Sequence, residues 1–162
     1  MIRSLLLLLT AASVLVPQPA GAKQATHFHM TGTLQGSGTL DPTCNGFRYA
    51  TAGPFDGTPL GPVHWTGSEC VDALSSLGGF TIWGGFSLNE GAFTGTYRGH
   101  AGLPDAAGRI RGWGKFSMTG GTGKYAGVTA SGIFTVVAQP VASTADLELI
   151  GTLERVSRRR PG

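Results

Sequence analysis

The chain has 162 residues, of which 27 are Gly and only 13% are charged, so a helical bundle or coiled coil drawing on Ala, Leu, Glu and Lys is excluded. Hydrophobic residues make up 41%, with eight Phe, three Trp and three Tyr, enough for one buried core and too many for general disorder. The formal charge of +3 is uneven: residues 23–154 carry seven basic and nine acidic side chains while four arginines fall in the last eight positions, so the body has no basic stripe for nucleic acid.

Residues 1–22 read as a signal peptide. Arg3 supplies the positive start, Ser4 to Val16 give 13 apolar-rich positions, and Ala20-Gly21-Ala22 offers the small residues of a cleavage site. As a helix that stretch rises about 20 Å, short of a hydrocarbon core of about 30 Å. The expectation is a secreted protein with no membrane span, a single domain over 23–156 and a disordered basic tail over 157–162.

Alternation of apolar and polar residues then predicts eight strands, near 26–40, 47–53, 61–68, 79–89, 92–102, 109–119, 129–139 and 144–155. In the first, Phe28, Met30 and Leu34 take the inward face. His27 and His29 share the opposite face, a pattern known from metal sites, with His64 or His100 as a third ligand; the alternation turns the pair to solvent and no metal is expected. Cys44 and Cys70 are the only two cysteines, and in an exported chain they read as a disulfide closing a 27-residue loop. The competing reading is a nucleophilic Cys beside His64. The loops 41–46 and 69–78 are irregular, with one helical turn open to 72–77. Asp41, Asp56, Glu69 and Asp72 are expected there as solvated loop carboxylates, rimming one mouth of a barrel.

The middle strands carry a register. Glu90-Gly91 reads as a two-residue hairpin loop, which pairs Leu88 with Phe93, Phe86 with Gly95, Gly84 with Tyr97 and Trp83 with Arg98. A four-residue loop, Pro104 to Ala107, then pairs Leu103 with Gly108, Tyr97 with Gly114, Gly95 with Phe116 and Arg98 with Trp113. Inside, Tyr97 would lie across Gly84 and Gly114 while Phe86 and Phe116 close over Gly95. Outside, Trp83, Arg98 and Trp113 would form a ladder with the guanidinium between two indoles. Cross-strand stabilisation accounts for that ladder; a patch for a glycan or a second subunit is the functional alternative. Tyr97, Trp83, Arg98 and Trp113 are therefore the candidate ligand-binding residues.

Eight short antiparallel strands fit a closed barrel or a sandwich, and glycines inside the strands at 84, 85, 95, 99, 112 and 114 favour closure. Gly120-Gly121-Thr122-Gly123-Lys124-Tyr125-Ala126-Gly127 follows the sixth strand. Its glycines permit a tight reversal, with Tyr125 plugging one end and Lys124 facing water. The spacing does not fit a phosphate-binding P-loop. This string, preceded by two cysteines, resembles the signature of the allene oxide cyclase and dirigent barrel superfamily, in particular its small secreted bacterial members. The resemblance implies an eight-stranded antiparallel barrel with an internal cavity, no cofactor, and trimers among the plant proteins. The superfamily's enzymes steer cyclisation or coupling of a reactive intermediate in the lumen, but their catalytic residues lie outside the matching string and are not carried over. No Gly-x-Ser-x-Gly elbow and no suitably spaced carboxylate pair occurs. The expected function is binding of a small apolar or aromatic molecule in the lumen. The alternatives are a cofactor-free isomerase or cyclase on the same scaffold, and a structural or surface-interaction protein with a filled core.

Overall fold

The computed structural model describes residues 24–74, 78–119 and 121–155. The expected leader over 1–22, the expected basic tail over 157–162, residues 75–77 of the 72–77 segment, Gly120 and the Lys124 side chain lie outside what is described. Eight strands follow in order: β1 (Gln24–Asp41), β2 (Gly46–Thr58), β3 (Val63–Asp72), β4 (Phe80–Leu88), β5 (Phe93–Ala101), β6 (Ile110–Thr119), β7 (Val128–Gln139) and β8 (Thr144–Arg155). Each pairs antiparallel with the next, and β8 returns to β1, so the sheet is a closed eight-stranded barrel. Among the described residues no helix is long and apolar enough to cross a membrane.

Closure depends on glycine where strands lie close. A Cβ on Gly95 would collide with the Phe86 ring, which fills the space, as the sequence predicts. The β4–β5 turn matches expectation as well: Leu88 pairs with Phe93 and Trp83 with Arg98. Glu90 (φ 54) and Gly91 (φ 95) supply the two left-handed positions such a turn needs. Asn89 anchors it to β3, its Oδ1 accepting the His64 N–H at 2.9 Å.

The hairpins β1–β2 and β7–β8 share one construction. Each opens on Pro42 or Pro140, makes a single 3-10 turn and ends on a left-handed residue, Asn45 or Ser143, both at φ 54. Cys44 in the first of these turns is disulfide-bonded to Cys70 on β3, which ties the hairpin tip down.

Two strands run further than alternation suggests. Expected to end at 53, β2 continues through Pro54 to Thr58. The prolyl nitrogen has no proton to donate, and the pairing of β1 with β2 is interrupted there, resuming at Thr31 with Asp56. Strand β3 continues past Ser68 to Asp72, so Glu69 and Asp72 are strand residues rather than loop residues. The four carboxylates therefore do not rim one mouth: Asp41 and Asp72 end strands at the disulfide end, Asp56 lies toward the other end of β2, and Glu69 faces the lumen.

The β5–β6 register differs from expectation by two residues. Tyr97 pairs with Phe116, Gly95 with Met118, Arg98 with Lys115 and His100 with Trp113. The loop accommodates the difference: the Asp105 carboxylate accepts the backbone N–H groups of Ala107 and Arg109, each at 2.9 Å. This holds a longer reversal than four residues, and the ladder resumes with Gly102 N–H donating to the Arg111 carbonyl at 2.9 Å. A shift of two preserves both faces of the strand, yet it separates Trp113 from Arg98 and gives the space over Gly114 to Phe134 of β7.

Candidate functional site

The lumen is filled unevenly. Eight of the largest fully buried side chains are Trp65, Phe28, Phe55, Phe93, Met30, Leu88, Met118 and Leu149, and all but Leu149 lie toward the end that carries the loops after β2, β4 and β6. Tyr125 covers that end, its ring 4.5 Å from Phe93. The lumen positions toward the disulfide end are smaller, and a cavity of about 30 Å³ remains there, lined by Leu34, Ile82, Phe134 and Leu147 among others. Such a volume holds about two waters.

Two of the cavity's polar groups form a pair that alternation places without a special loop. On β3 the lumen-facing series is Val63, Trp65, Gly67, Glu69, Val71, so Glu69 occupies a position its neighbours give to apolar side chains. Tyr97 of β5 is two strands away, with Gly84 of β4 as the direct partner of both. Because Gly84 has no side chain, the phenol reaches across it and Tyr97 Oη donates to Glu69 Oε2 at 2.6 Å. A Cβ on Gly84 would sit 2.9 Å from both Glu69 Cα and Cβ. The Tyr97 ring rests on aromatic neighbours, an edge contact with Phe134 at 5.5 Å and tilted contacts with Phe86 and Trp65. Thr51, the third polar group of the wall, accepts from the Trp65 indole N–H at 3.1 Å.

Burial pushes the Glu69 carboxyl up from its ordinary 4.5, and the hydrogen bond from Tyr97 offsets only part of this. Tyr97 is raised well above the phenol range, first by burial and then by the neighbouring carboxylate. A carboxyl group biased toward its neutral form can donate a proton as well as accept a hydrogen bond.

Around the mouth at this end stands an apolar rim. Leu40, Phe47, Leu74, Leu103 and Val141 are exposed, and they come from all four hairpins that meet there. The charges beside them are paired: Arg48 with Asp41 at 2.6 Å and Arg109 with Asp105 at 2.9 Å. The Thr43 hydroxyl and the Arg48 guanidinium hold the Asp41 carboxyl down to about 2.

Of the four residues selected from sequence, only Tyr97 faces the lumen. Trp83 and Arg98 are outer-face partners as expected, but Arg98 meets Lys115 on its other side, and Trp113 meets His100, so the ladder of one cation between two indoles does not form. Sequence reasoning missed Glu69 as a lumen residue. The signal was the odd-numbered series on β3, which runs through Glu69 to Val71 without a break. His27 and His29 lie on the outer face, where His29 Nε2 is 2.9 Å from Glu148 Oε1. No protein-family model, curated protein or solved structure matches the chain, so the chemistry of this site carries the functional argument.

Proposed function

We propose that this is an exported barrel that takes a small, mostly apolar molecule with one polar group through the disulfide end of the lumen. The observation that carries the reading is the Glu69–Tyr97 pair, a carboxyl and a phenol joined at 2.6 Å in a wall that is otherwise mostly apolar. Few polar groups in an apolar concavity fix a ligand's orientation, and shifted titration marks groups held away from bulk water. The apolar rim offers such a molecule a path in. The disulfide fits the oxidising compartment that a leader at 1–22 implies. A cofactor-free isomerase on the same scaffold, as the superfamily resemblance implies, would use this pair as its proton donor and acceptor.

The cavity of about 30 Å³ favours a second reading, a filled core whose working surface lies outside, because small-molecule sites usually enclose roughly 300 Å³ or more. Native mass spectrometry of protein taken from its own host's medium separates the two. Under the first reading a small molecule co-purifies, and Tyr97→Phe or Glu69→Gln weakens its retention. Consistent recovery of empty protein, with no shift in either variant, supports the filled core. Conversion of a bound molecule that stops in Glu69→Gln would add acid–base chemistry to binding.

A further inference from the structure

The register that breaks the expected ladder assembles a different feature on the outer face of β4, β5 and β6. Trp83, Arg98 and Lys115 are successive cross-strand partners, so two cations stand directly opposite each other beside an indole. Like charges in that position destabilise a sheet unless something neutralises them. Elsewhere on the barrel Arg48 and Arg109 each have an aspartate, but no carboxylate among the described residues pairs with Arg98 or Lys115, nor with Arg111 further along the same face of β6. Trp83, Arg98 and Lys115, with the Thr96 and Ser117 hydroxyls, line an open groove of about 450 Å³. Trp113, 58% exposed, extends the apolar surface two residues along from Lys115.

We infer that this groove is a binding site for a saccharide bearing a carboxylate or sulfate. The unpaired Arg98 and Lys115 call for an anion, and the guanidinium can hold a planar or tetrahedral oxyanion through two N–H donors. The indole of Trp83 offers a flat apolar face to the C–H side of a sugar ring, and Thr96 and Ser117 supply short hydroxyl contacts to its oxygens. A long polyphosphate is disfavoured, because the acidic side chains of residues 23–154 outnumber the basic ones by nine to seven and the cations do not continue as a stripe. The site does not depend on the lumen: it stands whether or not the barrel interior takes a ligand.

The test is titration of tryptophan fluorescence in the full chain with trigalacturonate, with a sulfated disaccharide and with neutral maltotriose. At least one charged sugar should bind while maltotriose does not, and the binding should weaken in about 0.5 M NaCl. Which charged sugar binds identifies the anion. Arg98→Ala with Lys115→Ala should lower the affinity by about tenfold or more with the barrel's circular dichroism unchanged. Equal binding of the neutral sugar, no binding of either charged sugar at millimolar concentration, or unaltered affinity in the double variant would overturn the proposal. So would tighter binding of a thymidine oligonucleotide, or a mass shift showing that this face joins two copies. Because the salt response is read on the unmodified chain, the test survives a variant that fails to fold.

Discussion

The two ends of the barrel are built from the same eight strands and solve opposite problems. At the end closed by Tyr125, rings and thioethers interlock: Trp65 stacks on Phe86 with centroids 4.4 Å apart, and Phe55 packs against Trp65 at 5.4 Å. At the disulfide end aliphatic side chains, Phe134 and a polar pair surround a cavity of about 30 Å³, and large apolar side chains stand exposed on the hairpins. Stability is therefore concentrated at one end, and the chemistry that burial makes expensive is placed at the other, where a covalent bond holds the longest hairpin. The division is physical: a carboxyl group among the rings of the closed end would have neither a partner nor a path for water.

The largest expected effect tests that division. Trp65→Ala should cost about 3–5 kcal/mol, because it empties a fully buried site in contact with three other rings. Phe47→Ala on the rim should stay within about 0.5 kcal/mol. Urea denaturation of both variants reads the comparison directly, and similar losses would show that the rim is part of the core.

Next comes the disulfide. Replacing Cys44 and Cys70 by Ser removes a cross-link spanning 26 positions and should cost about 3–4 kcal/mol on the chain-entropy estimate. Hydrogen exchange should rise first in the β1–β2 hairpin and at the end of β3, with Phe93 and Met118 remaining protected. A uniform rise across the barrel would mean the two ends are a single cooperative unit.

The polar pair gives the disulfide end its own pH dependence. Glu69 titrates above its ordinary 4.5 when folded, so as pH rises from 4.5 through the folded value the native state holds a proton the unfolded chain has released. The native state binds more protons over that window, and stability falls with rising pH. Asp41, held at about 2, acts in the other direction: its contribution is present above the ordinary 3.8 and is lost as pH falls toward 2. Glu69→Gln should remove the decline on the alkaline side and leave the acid side unchanged. Denaturation midpoints taken from about pH 2 to about pH 8 check this; parallel curves for the two proteins would show that burial of Glu69 has no energetic weight. Tyr97→Phe should push the Glu69 carboxyl higher still, since it removes the hydrogen bond that lowers it.

Much of the architecture was legible in the sequence, because alternation reports which residues share a face and glycine reports where strands approach. Phe28, Met30 and Leu34 are buried, and the β4–β5 register follows from Glu90-Gly91 alone. The candidate site was half legible. Alternation places Tyr97 inside, but it ends the third strand at 68 and so puts Glu69 in the irregular loop over 69–78. Its burial depends on Gly84, two residues that alternation cannot bring together without the β3–β4 register. The outer groove was illegible for a related reason: a shift of two residues changes every cross-strand partner while leaving every burial pattern intact.

The smallest expected effect asks what sets that register. Asp105 binds the Ala107 and Arg109 N–H groups, and its pKa is lowered first by the backbone N–H of Arg109. The loop is exposed, so Asp105→Ala should lower stability only slightly, an effect fully present above the carboxylate's ordinary 3.8 and lost as pH falls from there through its lowered folded value. Amide exchange at Ala107 and Arg109 should quicken. The register should nevertheless hold, with nuclear Overhauser contacts still linking Arg98 to Lys115, because slipping β6 by two residues would carry Phe116 from Tyr97 to Gly95, where Phe86 already fills the space. Contacts that moved from Lys115 to Trp113 would show instead that one exposed aspartate, and not the packing of the lumen, decides which side chains meet on the outer face.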